Sequence, residues 1–143
     1  MLLYTKSARR LRTREIMKLS ANMEDYLEAV SFCANDKGVA RVSDIRDMLG
    51  VKTPSVTGAM KALAEAGYVH HQPYSGIELT AKGRRAAEDV KKRHAILSRF
   101  LTQVLGVNPR TADMDACKME HAVSRETLEK LHAYLHKQTG TEG

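Results

Sequence analysis

The chain has 143 residues, 43% of them hydrophobic and 28% charged. That is the size of one globular domain, or of two small modules sharing a core, and it is too apolar for a disordered chain. No apolar run approaches 18 residues, which excludes a membrane span. With 23 Lys and Arg against 17 Asp and Glu, a net charge of +6, the surface attracts polyanions, and nucleic acid leads the classes of partner.

Residues 1–19 carry Lys6, Arg9, Arg10, Arg12, Arg14 and Lys18 against Glu15 alone. This extension reads as a basic arm, as a transit-peptide-like leader, or as sequence upstream of a start at Met17 or Met23. A helix is expected next, with Met23, Tyr26, Leu27, Val30, Cys33 and Ala34 at i, i+3, i+4, i+7 spacing. It turns Asp25 and Glu28 to the opposite side as near neighbours. A short second helix fits residues 42–49, started by Ser43 or a nearby polar group and stopped by Gly50. A third fits residues 53–66, with Thr53 as N-cap and Pro54 in the first turn. Two helices joined by Gly50-Val51-Lys52 have helix-turn-helix spacing.

Residues 68–72 and 77–80 read as two strands around Pro73-Tyr74-Ser75-Gly76, a wing directly after the second helix of the pair. Thr80 then caps a long helix to about Leu105, with Val90, Leu97, Leu101 and Val104 inward and His94 on the same side. Two more helices are expected over residues 112–122 and 124–137, the last with a seam of Leu128, Leu131 and Leu135 that suggests a dimer. Cys33 and Cys117, with no signal-peptide apolar core, point to a reducing, cytoplasmic setting.

Two constellations carry chemistry. The third helix offers Ser55, Thr57, Gly58 and Lys61 on its polar face, with Lys52 and Thr53 just before it. Small polar side chains beside cations let a helix enter a major groove and meet bases and phosphates. Arg41 and the wing-tip residues Tyr74 and Ser75 extend this DNA-binding set. The second constellation is Cys117, Glu120 and His121, which converge on one helix arc and suit a divalent transition metal. His94, Asp25 and Glu28 are further donors. Three carboxylates and a thiolate match two divalent ions in charge, and without metal their repulsion raises their pKa values.

From about residue 22 to 135 the chain resembles the DtxR/MntR family of metal-dependent transcriptional repressors. The resemblance rests on Met-Glu-Asp25-Tyr-Leu-Glu28, Ala40-Arg-Val-Ser-Asp-Ile45, Pro54-Ser-Val-Thr57, Gly76-Ile-Glu-Leu-Thr80, Arg93-His94 and Asp115-Ala-Cys-Lys-Met-Glu-His-Ala-Val-Ser124. It implies a mainly α fold with a β-hairpin wing: a winged helix-turn-helix over residues 20–83 and a helical metal-binding and dimerisation domain over residues 84–143. No SH3-like domain is expected. It also implies a homodimer on double-stranded operator DNA, with Mn(II) or Fe(II) as corepressor and up to two ions per subunit.

In the family's manganese-sensing branch, Asp25, Glu28, His94, Glu120 and His121 match the donors, and Cys117 replaces a Glu. The iron-sensing branch has Cys there but Met where Asp25 stands, so this sequence mixes the two. The iron branch's ancillary site needs a Glu and a His where Ser98 and Asp113 stand. The expected centre is therefore Glu28, His94, Cys117 and Glu120 beside Asp25, Glu120 and His121. Gly58 replaces a base-contacting Gln of the iron branch, so that branch's operator does not carry over. The competing reading is a metal-independent winged-helix regulator that senses redox state or a small ligand through Cys117 or Cys33. An enzyme is disfavoured, because Cys117 and His121 have no orienting third group, oxyanion loop or phosphate cradle.

Overall fold

The computed structural model describes residues 19–34, 38–72 and 75–139. The basic extension up to Lys18 and the wing-tip Tyr74 lie outside them. Helix α1 spans Ala21–Ala34 and starts where Ser20 Oγ accepts from the Met23 N–H, at 3.2 Å. Its Tyr26, Leu27, Ala29 and Val30 are buried, which leaves Glu24, Asp25 and Glu28 together on the other side. Helix α2, Val42–Leu49, begins after Arg41 with no side-chain cap, so Ser43 does not start it. Gly50 ends it in the left-handed conformation (φ 64°), which a residue without Cβ adopts at little cost.

Helix α3, Thr53–Glu65, has Lys52 rather than Thr53 at its N-cap. Thr53 is already helical: its Oγ accepts from Arg46 Nη1 (3.3 Å) and its carbonyl from the Thr57 hydroxyl (3.1 Å). Val56, Ala59, Met60 and Leu63 bury the inner face. Strands β1 (Val69–Gln72) and β2 (Gly76–Leu79) pair antiparallel, Val69 opposite Leu79. Ala40 adds a bridge to Ile77 through two 2.8 Å hydrogen bonds, tying the wing to the segment before α2. One core joins α1, α2, α3, the wing and Ala87.

Helix α4 runs Ala81–Arg99 and continues as a π-helix over Phe100–Val104. Thr80 caps it, accepting from the Gly83 N–H, while its hydroxyl donates to the Gly67 and Tyr68 carbonyls. Lys82 donates to the Ala66 carbonyl and lies over the Tyr68 ring. The start of α4 is thus bolted to the end of α3. The π-turn, closed by Leu105 N–H to Phe100 O, changes the helix phase, so Leu101 is buried but Val104 is exposed, against the inward stripe expected.

Helix α5 covers Pro109–Met119 and α6 covers Arg125–Thr139, with the Ser124 hydroxyl accepting at the start of α6. Leu97, Ala116 and Leu128 form a second core with Ile96, Met119, Val123 and Leu131 against it. The leucine seam of α6 is therefore largely spent within the protomer: Leu128 and Leu135 are buried and Leu131 is partly covered. The apolar surface left open is instead Val104, Leu105, Met114 and Tyr134, together with Phe32 and Met48 elsewhere.

The tightest glycine position among the described residues is Gly83, where a Cβ would lie 2.0 Å from the Tyr68 carbonyl oxygen. Backbone rather than a flexible side chain must then give way. Gly83→Ala is expected to cost about 1–3 kcal/mol of stability in denaturant unfolding; an unchanged midpoint and slope would show that the α3–α4 bolt is soft.

Candidate metal centre and nucleic-acid interface

Glu120 stands where α5 ends. Its N–H still closes the helix on the Ala116 carbonyl, while its side chain is 1% exposed. A buried carboxylate is costly without partners, and two imidazoles supply them: Oε2 lies 2.9 Å from His94 Nδ1 and Oε1 lies 3.5 Å from His121 Nε2. Burial, and then the nearby Glu28, push the Glu120 carboxyl up to about 7. Helix α5 starts and ends three residues earlier than the expected 112–122, so Cys117 lies within it while Glu120 and His121 sit in the turn after it. That turn lets one carboxylate face both histidines.

His121 is 9% exposed and is held from both sides. Its Nε2 is 2.9 Å from Asp25 Oδ1, and its Nδ1 is 3.1 Å from Glu24 Oε1. Burial pulls its pKa down, but the bonds to Glu24 and Asp25 outweigh that and the net shift is upward. His94 follows the same pattern, with Nε2 2.7 Å from Asp113 Oδ1 and Nδ1 on Glu120. Burial lowers its pKa too, and the two carboxylates outweigh burial, so it is raised. The Cys117 Sγ is 3.7 Å from His94 Nδ1. Its thiol is pushed up to about 11, by desolvation first and by Glu120 and Asp113 after it.

Two donor groups result, Asp25–Glu120–His121 and His94–Asp113–Cys117, with the ligand atoms of each within 4.8 Å of one another. The structure brings Asp25, Glu120 and His121 together, and it places His94 beside the other oxygen of Glu120 with Cys117 next to His94. Glu28 faces the centre electrostatically, its pKa raised by burial, but makes no hydrogen bond or ion pair among the described residues. Asp113 joins His94 instead. In the sequence its position stands out only as one where the iron branch has a histidine, though a carboxylate four residues before Cys117 on a helix shares the thiol's face. Glu24 and Arg93 lie inside the family motifs, and their spacing alone gives them no role as donors. Nitrogen, sulfur and several oxygens in two groups linked by the His94–Glu120 contact are a donor set that fits divalent transition ions.

The other candidate face lies on α3. Lys52, Thr53, Ser55, Thr57 and Lys61 are exposed, as are Arg41 and Ser75. Their apolar neighbours Val56, Ala59, Met60 and Leu63 anchor the opposite side of the helix in the core, so this face is rigidly presented.

Two family models match the chain: the iron dependent repressor N-terminal DNA binding domain over residues 18–77, and the iron dependent repressor metal binding and dimerisation domain over residues 80–140. An uncharacterized HTH-type transcriptional regulator of Methanocaldococcus jannaschii is 37% identical over 120 residues, covering 83% of this chain and 96% of that protein. The chain belongs to the DtxR/MntR family of metal-dependent transcriptional repressors. The transcriptional regulator MntR of Escherichia coli O6:H1 is 40% identical over 115 residues, 80% of this chain and 74% of that one. A solved manganese-dependent transcriptional repressor in complex with manganese superposes with a TM-score of 0.72 at 29% identity, over 79% of this chain and 52% of that one. The winged helix followed by a helical domain is thus the DtxR/MntR architecture.

Glu120, His94 and His121 all hold protons more tightly in the folded chain than unfolded. The native state therefore binds the extra protons, and the stability they contribute is complete at acid pH and is lost as pH rises through the folded pKa values, about 7 for Glu120. In metal-free protein the melting temperature should fall more between about pH 5 and pH 8 for wild type than for Glu120→Gln. Equal slopes in calorimetry would count against the buried carboxylate.

Proposed function

We propose that this protein represses transcription by binding operator DNA as a homodimer in the cytoplasm, with Mn(II) or Fe(II) as corepressor for metal-homeostasis genes. Residues 20–83 form the DNA-binding unit and residues 84–143 the metal-binding and dimerisation unit. The observation that carries the reading is the meeting of Asp25, on a helix of the winged-helix core, with Glu120 and His121, which follow a helix of the second core. Asp25, Glu120 and His121 hold one ion, and His94, Cys117 and Glu120 hold the other, with Glu28 and Asp113 beside them. A bound divalent ion supplies the positive charge that these carboxylates and the thiol otherwise lack.

The donors act across the joint between the two cores. Asp25 fixes where α1 stands relative to α5, and α1 in turn packs on α2 and α3. The separation of the two recognition helices of a dimer, which must match half-sites about 34 Å or a multiple apart, is set by that joint. A roughly 100-fold gain in operator affinity needs only about 2.7 kcal/mol of coupling, and reciprocity requires DNA to tighten metal binding equally. The set is rich in oxygen, which favours Mn(II) over Fe(II), with Cys117 as the softer member. The similarity to MntR supports the same order.

The redox form of the rival reading needs a reactive thiol at Cys117 or Cys33. The Cys117 thiol is pushed up to about 11 and burial raises that of Cys33 as well, which disfavours redox sensing at either. For the dimer face, the exposed Val104, Leu105, Met114 and Tyr134 replace the buried leucine seam. Among the described residues, no helix is long and apolar enough to cross a membrane.

The test is fluorescence anisotropy on a duplex selected from a random pool by the Mn(II)-loaded protein. Affinity should rise about 100-fold with Mn(II), and Asp25→Ala or His121→Ala should abolish that response with circular dichroism unchanged. Affinity indifferent to metal and to chelator overturns the switch. On the DNA face, Lys52→Ala and Lys61→Ala should each lower affinity on all sequences and reduce the salt slope by about 0.9 for every phosphate the lysine neutralises. An unaltered slope removes that lysine from the interface.

A further inference from the structure

Glu24 and Arg93 stand outside both donor groups, yet they form a well-buried ion pair beside them, with side chains 14% and 18% exposed. Arg93 reaches from α4 to α1 and to the turn after α5. Its Nη2 meets Glu24 Oε2 on α1, its Nη1 donates to the Glu120 backbone carbonyl after α5 at 2.7 Å, and its Nε lies 3.1 Å from Asp89 on its own helix. With one carboxylate oxygen held by Arg93, Glu24 turns the other, Oε1, to His121 Nδ1 at 3.1 Å. Asp25 and Glu120 approach the same ring at Nε2. Glu24 is therefore on the far side of the imidazole and cannot share an ion with Nε2.

A histidine ligand must present one bare nitrogen, and the partner of the other nitrogen decides which one that is. We propose that Glu24, locked in place by Arg93, is the positioning residue that biases the proton of neutral His121 toward Nδ1 and so frees Nε2 for the cation shared with Asp25 and Glu120. This rests on the metal reading given above for the same residues. An unrestrained histidine side chain favours the proton on Nε2, and in the metal-free chain Asp25 at 2.9 Å and Glu120 at 3.5 Å also draw it there, so Glu24 at 3.1 Å is the contact that pulls the other way, toward Nδ1. The planar fork of Arg93 is what lets one side chain serve Glu24 and the Glu120 carbonyl together, which lysine cannot do.

The experiment compares wild type, Glu24→Ala, Glu24→Gln and Asp89→Ala. Long-range proton–nitrogen NMR of labelled histidine, on metal-free protein at alkaline pH, reads the tautomer of His121. Mn(II) affinity is read by competition with a chelating dye. Relative to wild type, Glu24→Ala should shift the His121 tautomer population toward the Nε2 proton and weaken Mn(II) binding about 10–100-fold. Glu24→Gln, which keeps an acceptor oxygen, should retain the wild-type tautomer population and most of the affinity. Asp89→Ala touches Arg93 but not His121 and should change neither. A tautomer population and an affinity both unchanged from wild type in Glu24→Ala overturn the proposal, as does an Asp89→Ala that behaves like Glu24→Ala, since the effect is then general loosening. If wild type binds no Mn(II), the metal reading fails, and the tautomer comparison, which needs no metal, still decides the role of Glu24.

Discussion

The burial of Glu120 is the constraint on which the rest of the centre depends. A carboxylate with 1% exposure must have its charge answered locally. The answer comes from both sides: His94 on α4 meets one oxygen, and His121 in the following turn faces the other. Each imidazole then needs a partner for its second nitrogen, and these are also carboxylates, Asp113 for His94 and Glu24 for His121. The result is a chain of alternating acids and bases that begins on α5, passes through Glu120 and ends on α1. Removing a central link strands a buried group.

Helix α4 connects this chain to the DNA-binding face. Its first turn is fixed to the end of α3 by Thr80, Lys82 and the glycine contact at Tyr68. Its middle carries Arg93 and His94, and beyond them Leu97 packs with Ala116 and Leu128. The contact of His94 with Glu120 is thus referred to the recognition helix through one rigid rod. The contact of Asp25 with His121 is referred to it separately, through α1. Two routes that meet at Glu120 and diverge to the same winged helix make the angle between the two cores the natural quantity for the centre to control.

The fold is legible in the sequence because its signals are local. The Gly/Pro turn between the two strands, the Thr80 cap and the stripe of Leu27 and Val30 all depend on spacing and on turn residues. What spacing does not show are effects of tertiary contact. The Thr53 hydroxyl is taken by Arg46 and so does not cap α3. The π-turn at Phe100 shifts the phase of the helix end, which no periodicity over a uniform helix anticipates. Leu128 and Leu135 resemble a dimer seam because sequence shows an apolar stripe but not what covers it. In the centre, Asp25, His94, Cys117, Glu120 and His121 are visible as donor types at helical spacing. Glu24, Arg93 and Asp113 are not, since a charged residue beside a donor reads as solvated surface until another element packs on it.

Protons as well as cations can answer the charge of this centre, and this bears on how a modest signal can be enough. The upward pKa shifts of His94, His121 and Glu120 favour the proton-bound forms of these three groups over what they would be in the unfolded chain. On the function proposed above, cation binding at these donors is an exchange in which they give up protons before they ligate. The net free energy available to move the two cores is the difference between the proton-held and the metal-held arrangement, far smaller than the gross attraction of either. A small difference suits a switch. It allows the metal-free chain to remain folded around its imidazole–carboxylate pairs while the orientation of the winged helix stays open to the cation.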